Sequence, residues 1–152
     1  MTDKRVLQIG RIVLRLCLSS AFLFAIADRF GVYGRHGTKG VSWGDWTHFL
    51  QFVAYLIKVG PRAFIPAIGI TETIIEFALA VALLLGIYPR MVAWSSAALL
   101  ASFAVTMSIA LGIPTTLGYG VFTGVGAALL LGAVARPGSI WDPLSSKSTS
   151  EA

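Results

Sequence analysis

Residues 91–135 contain no aspartate, glutamate, lysine, arginine or histidine. That run is far longer than the ~20 apolar residues that carry one helix across a hydrocarbon core about 30 Å thick. Gly112, Pro114 and Gly118 interrupt it with a helix breaker and two glycines. The plain reading is two membrane-spanning helices, 91–111 and 118–135, joined by a short turn. Composition points the same way. Hydrophobic residues make up 56% of the chain and charged residues 12%, about half the charge that covers an ordinary soluble domain. The lipid bilayer is the solvent that suits such a chain.

Two further segments are long enough to span. Residues 63–88 carry Glu72 and Glu76 and close on Pro89 and Arg90. Residues 6–27 are weaker on hydropathy, because Arg11 and Arg15 lie inside them; Arg11 can snorkel to the headgroups, whereas Arg15 sits deeper. This first segment has a rival reading as a secretory signal peptide, with a basic start, an apolar stretch and Ala25-Ile26-Ala27 before Asp28. The two arginines argue against it.

The expected fold class is an all-α membrane protein. It is a four-transmembrane-helix bundle, residues 1–136, with an extra amphipathic helix in the first, outer loop and a cytoplasmic tail, 137–152, whose serine-rich end is expected to be disordered. The extra helix is read at 46–59. Ser42 or Asp45 caps its start, and Phe49, Leu50, Val53, Leu56 and Ile57 fall on one face. It either lies along the membrane interface, with Trp43, Trp46 and Tyr55 as headgroup anchors, or packs over the bundle mouth.

With four spans, Lys4, Arg5, Arg11, Arg15, Arg90, Arg136 and Lys147 share a side, against Arg29, Arg35, Lys39, Lys58 and Arg62. Seven against five places both termini in the cytoplasm and the chain in the inner (plasma) membrane of a bacterium. The net charge of +5 is too sparse for a nucleic-acid footprint and fits an anionic membrane face. The single cysteine, Cys17, cannot form an intrachain disulfide and is read as a small packing residue.

Ionisable groups inside a span persist where they are paired or line a cavity. Glu72 and Glu76 are four apart and share a helix face; Arg11, Arg15 and Ser19 form a similar row on the first span. Counted from the loop ends at Ala27 and Ala63, Arg15 lies ~18 Å deep, Glu76 ~20 Å and Glu72 ~14 Å. The expectation is therefore a buried polar cluster of Arg15, Glu72 and Glu76, with an Arg15–Glu76 ion pair. Its role is either to fix helix register or to form a functional site, since one arginine cannot neutralise two glutamates and the surplus carboxyl could exchange protons. Gly120, Gly124, Ala128 and Gly132 recur every four residues as a helix-packing groove, within the bundle or between copies in a homo-oligomer. Ser95, Ser102 and Thr106 make a mild polar stripe. His36 and His48 give a poor metal signal, so no metal is expected, and no phosphate loop or nucleophile elbow is present.

At Arg15, Phe22 and Arg29, spaced by seven, and at Glu76, Leu83-Leu84-Leu85-Gly86 and Arg90, the chain resembles the DoxX/DoxD-like family of small bacterial membrane proteins. Arg15, Arg29, Glu76, Gly86 and Arg90 match that family's motif positions. The resemblance covers most of residues 10–135. It implies a four-helix membrane fold and a loose link to redox metabolism, since relatives include a quinone-linked oxidoreductase subunit. The chain departs from many relatives at 112–118, where a histidine- and tryptophan-bearing approach to the last helix is replaced; this puts transfer of substrate chemistry in doubt, and no catalytic residue follows from the resemblance.

The leading expectation is a membrane subunit or anchor of a redox assembly, with a redox protein partner and a bound quinone. No span carries a haem-ligand histidine and there is no thiol pair, so electrons would not travel through such groups of this chain, and independent catalysis is not expected. The alternatives are a small proton-coupled carrier or lipid-binding protein, and a membrane scaffold or chaperone.

Overall fold

The computed structural model describes residues 3–57 and 61–141. Six α-helices make up the regular structure of these residues: α1 (Asp3–Arg29), α2 (Trp46–Leu56), α3 (Ile65–Leu85), α4 (Pro89–Leu111), α5 (Ile113–Gly118) and α6 (Val121–Val134). A 3₁₀ turn, Arg62–Phe64, leads into α3. The expected disorder at the end of the tail falls on 142–152, outside the described residues.

Proline and glycine set most helix boundaries. Pro66, Pro89 and Pro114 occupy the first turns of α3, α4 and α5, where a missing N–H leaves no hydrogen bond unmade. Gly86 ends α3 at φ 75° and donates to the carbonyls of Ala82 and Leu83. Gly112 ends α4, and Gly120, also left-handed, precedes α6. The connection after α3 is tied to the segment that follows α6: Tyr88 N–H donates to Ile140 O at 2.9 Å, beside an antiparallel bridge between Ile87 and Trp141.

Three helical segments, Lys4–Arg29, Arg62–Leu85 and Pro89–Leu111, are long and apolar enough to cross a membrane. Large apolar side chains line their outer faces: Ile74 is 62% exposed and Ile109 78%. In water such a surface would drive association; in lipid it costs nothing. These are the features of a helical membrane protein. The segment expected as a fourth span, 118–135, is shorter than anticipated. Its helix, α6, has 14 residues, or about 21 Å at 1.5 Å per residue, and the expected turn before it is itself helical, α5. Pro114, expected to break the helical run, instead sits in the first turn of α5, where proline is compatible with a helix start.

Leu18 and Phe22 of α1, Ala80 and Leu83 of α3, Ala93 and Ala97 of α4, and Ala128 and Leu131 of α6 form the main core. Four of these eight are alanines, which lets the helix backbones approach closely. The packing row on α6 divides. Ala128 and Gly132 are buried, and Gly124 and Gly132 face Leu100 and Trp94 of α4, while Gly120 lies outside the helix as its cap. Cys17, read as a packing residue, is exposed on α1.

A second, smaller cluster joins Phe49 and Val53 of α2 to Ile65 at the start of α3. A Cβ on Gly69 would lie 2.7 Å from Leu50 Cδ2 and 3.2 Å from Phe49 Cε1, so the absent side chain is what lets α2 seat there. The helix therefore packs against α3 and α4 at the end of the bundle. Trp46 stacks on Phe30 and tilts against Phe49, and only Tyr55 of the three expected anchors is well exposed.

Candidate functional site

The site begins at the last turn of α1. Asp28 and Arg29 are 1% and 2% exposed. They share work with the loop that follows. Asp28 Oδ2 accepts hydrogen bonds from the backbone N–H groups of Ser42 (2.9 Å) and Trp43 (3.0 Å), folding residues 30–43 back over the helix end. The fold-back needs left-handed glycines at close quarters: a Cβ on Gly31 would sit 2.7 Å from Gly44 O, and one on Gly44 would strike the backbone of His36. Trp43 is thereby placed beside Arg29, with the guanidinium carbon 5.4 Å from its ring centroid and 4.1 Å from that of Phe49. The two rings meet edge to face, an aromatic cage for a cation.

Arg29 spends its terminal nitrogens on α3. Nη1 donates to Thr73 Oγ1 at 2.7 Å, and Nη2 lies 3.2 Å from Glu72 Oε1 and 2.6 Å from Glu76 Oε2. Thr73 in turn donates to Gly69 O. The four-residue spacing of Glu72 and Glu76 puts both carboxylates on the face that Arg29 reaches. Two carboxylates share one guanidinium.

The expected Arg15–Glu76 pair is therefore replaced by Arg29–Glu76. Arg15 lies two turns further along α3: its Nε donates to Leu83 O (2.8 Å) and its Nη2 to Leu84 O (3.1 Å). These carbonyls lie in the last turn of α3, where orphan acceptors and the negative end of the helix dipole welcome a cation. Ser19 adds a bond to Ala80 O. The depth count failed because it set Ala27 level with Ala63. In the structure α3 starts two turns beyond the end of α1, and α2 fills the space beside that overhang. The resulting slip of seven residues from Glu76 to Leu83 is about 11 Å. Arg29 is fourteen residues past Arg15, on the same helix face, so the sequence held the signal. What concealed it was the assignment of Arg29 to the outer loop.

The charged cluster lines a cavity of about 470 Å³, within the range of small-molecule sites. Asp28, Arg29, Glu72 and Glu76 supply its charged lining. Leu18, Phe22, Phe52, Leu100, Phe103 and Met107 supply apolar walls. Ser102 and Thr106 of the polar stripe also line it, with their hydroxyls donating to carbonyls of their own helix; Ser95 is exposed and lies apart from it. The roles of Asp28, and of Trp43 and Phe49 as a cage, are not evident from the sequence: Asp28 reads as a loop residue, Trp43 as a headgroup anchor and Phe49 as part of the apolar face of α2.

The remaining motif residues lie elsewhere. Gly86 caps α3 and Arg90 is exposed in the first turn of α4. His36, in the loop, stacks at 3.9 Å on His48 of α2, and Asp45 caps α2 by accepting from His48 N–H while its Oδ2 meets His48 Nδ1 at 2.7 Å. This holds the Asp45 carboxyl below its ordinary value of 3.8. Among the described residues no group of three metal-ligating side chains converges. Comparison of the chain with family models, with curated proteins and with solved structures finds no match, so what this site does is read from its own geometry.

Proposed function

We propose that the chain is a DoxX-like protein of the bacterial inner membrane, with both termini in the cytoplasm, that serves as a membrane subunit or anchor of a redox assembly and holds a quinone-sized amphiphile in its cavity. The single observation that carries this reading is the 470 Å³ cavity, with largely apolar walls and the Arg29–Glu72–Glu76 cluster in its lining. The resemblance motif supports it, because its residues meet in pairs here: Arg29 with Glu76, and Arg15 with the turn that Gly86 ends. The broken pair α5–α6 completes the bundle as a fourth membrane-crossing element in this reading. A ring-and-isoprenoid molecule fits the aromatic and aliphatic walls; when bound, a quinone supplies two-electron, two-proton redox chemistry. The protein's own contribution is to bind and orient such a molecule and to keep a charged group beside its head.

Purification in mild detergent, followed by mass spectrometry of bound small molecules and co-purifying proteins, tests the proposal. A bound quinone or a stoichiometric redox partner is the expected result. Finding neither, with no change in respiration when the chain is deleted, removes it.

A lipid-binding or carrier role draws on a different observation. Phe24 and Tyr119 line the cavity yet are 47% and 58% exposed, so its wall meets the bilayer. Liposome flux that is lost in Glu72→Gln and Glu76→Gln would favour this second reading.

A further inference from the structure

The charged cluster leaves both an acceptor and a donor without partners. Asp28 uses only Oδ2, and its Oδ1, buried, has no hydrogen-bond partner among the described residues. Glu76 Oε2 is held in the ion pair, 2.6 Å from Arg29 Nη2. Both terminal nitrogens of Arg29 are committed to α3, and only its Nε lacks a partner. A carbonyl or ether oxygen could accept from Arg29 Nε–H but would leave Asp28 Oδ1 without a donor. A hydroxyl meets both needs: it donates to a carboxylate and turns its lone pairs toward the guanidinium. An alkylammonium head would donate to the carboxylates but has no lone pair to offer Arg29 Nε–H.

The rest of the cavity fixes the body of the molecule. Its walls are apolar, and Ala21 and Phe24 on α1 and Tyr119 and Gly120 before α6 line it while being exposed on the outer side. In the membrane reading these exposed lining residues meet lipid, which gives the molecule a route to the site from the bilayer.

We infer that the cavity selects a lipid-soluble amphiphile with a hydroxyl head, a phenol or an alcohol, whose O–H donates to Asp28 or Glu76 beside Arg29 and whose tail runs along α1 past Phe22 and Leu18. The inference rests on reading the cavity as a ligand site. It makes that reading more specific: of a quinone couple, the reduced, hydroxyl-bearing member is the one retained.

The test uses the full chain in mild detergent, with binding read by native mass spectrometry. The probes are para-nonylphenol and its methyl ether, para-nonylanisole, which differ only in the donor. The phenol binds the parent at least about tenfold more tightly, the scale of one hydrogen bond to a charged group. In Asp28→Asn one oxygen still accepts from the loop N–H groups, but an amide donor replaces Oδ1; the ratio falls toward one. Glu76→Gln serves as a second variant should Asp28→Asn lose its fold by size-exclusion chromatography. Equal affinities in the parent, tighter binding of the anisole, a quinone or nonylammonium, no binding of either probe, or a ratio unchanged in the folded variants would overturn the inference. A preference for phenol without any redox partner removes the redox reading alone. A bound quinone with no phenol preference removes this inference alone.

Discussion

Replacing Arg29 by methionine keeps the length and much of the apolar stem but removes the guanidinium that Glu72 and Glu76 share. Glu76 is 2% exposed, so its carboxylate would be left buried without a counter-charge. Breaking a buried pair from one side costs about 3–5 kcal/mol, and the lost cation–π contact with Phe49 adds about 0.5–2 kcal/mol. Removing both partners is less harmful than the two single losses suggest. In the cycle formed by Arg29→Met, Glu76→Gln and their combination, the coupling should reach about 2 kcal/mol, toward the upper range for contacting residues. The parallel cycle of Arg15→Met with Glu76→Gln should be additive within about 0.5 kcal/mol, since Arg15 donates to carbonyls two turns away. Denaturant unfolding in mild detergent, followed by helical circular dichroism, gives all the required values. Additivity for residues 29 and 76, or strong coupling between 15 and 76, would refute the assignment of the ion pair.

Three further outcomes follow from the geometry. Arg15→Leu strips two carbonyl partners from the last turn of α3; it should cost about 1.5–3 kcal/mol, the scale of a hydrogen bond to a charged group, and raise amide exchange around Gly86. Gly44→Ala forces a side chain into a left-handed conformation, worth about 1–2 kcal/mol by itself, and drives Cβ into the backbone at Arg35 and His36; the loop over Arg29 should loosen, read as faster proteolysis between residues 30 and 45. At Asp45 the folded carboxyl is held below 3.8, chiefly by the His48 backbone N–H. Its support for α2 is therefore full above that ordinary value and is lost as pH falls through the lowered one. Amide exchange at His48 should quicken in acid for the parent and show no such acid step in Asp45→Asn.

Hydropathy made the helical membrane character legible, because a charge-free run of this length has no other comfortable solvent. The start of α2 was legible for a different reason: Asp45 followed by a one-sided apolar pattern is a local signal, and its cap forms as anticipated. Relative depth was not legible. Helices joined by a long loop can slide, and the sequence does not say that α2 occupies the level beside the first turns of α3. That slip moved Arg15 from a carboxylate to a helix end and handed Glu76 to Arg29. Local chemistry also misled at Pro114, which starts a short helix where a plain turn was anticipated, and at Cys17, whose helical position turns it outward despite its apolar habit.

Under the proposed function a ligand occupies the cavity lined by α1, α4 and the start of α6, with its head at Arg29, Glu72 and Glu76. Ala21→Phe puts a ring into that space from α1, about two turns away from Arg29. Mass spectrometry of the gently purified parent and of this variant should show one amphiphile bound to the parent and absent from a variant of undiminished helicity. The same molecule retained equally by both proteins, or no bound molecule in either, would contradict the claim.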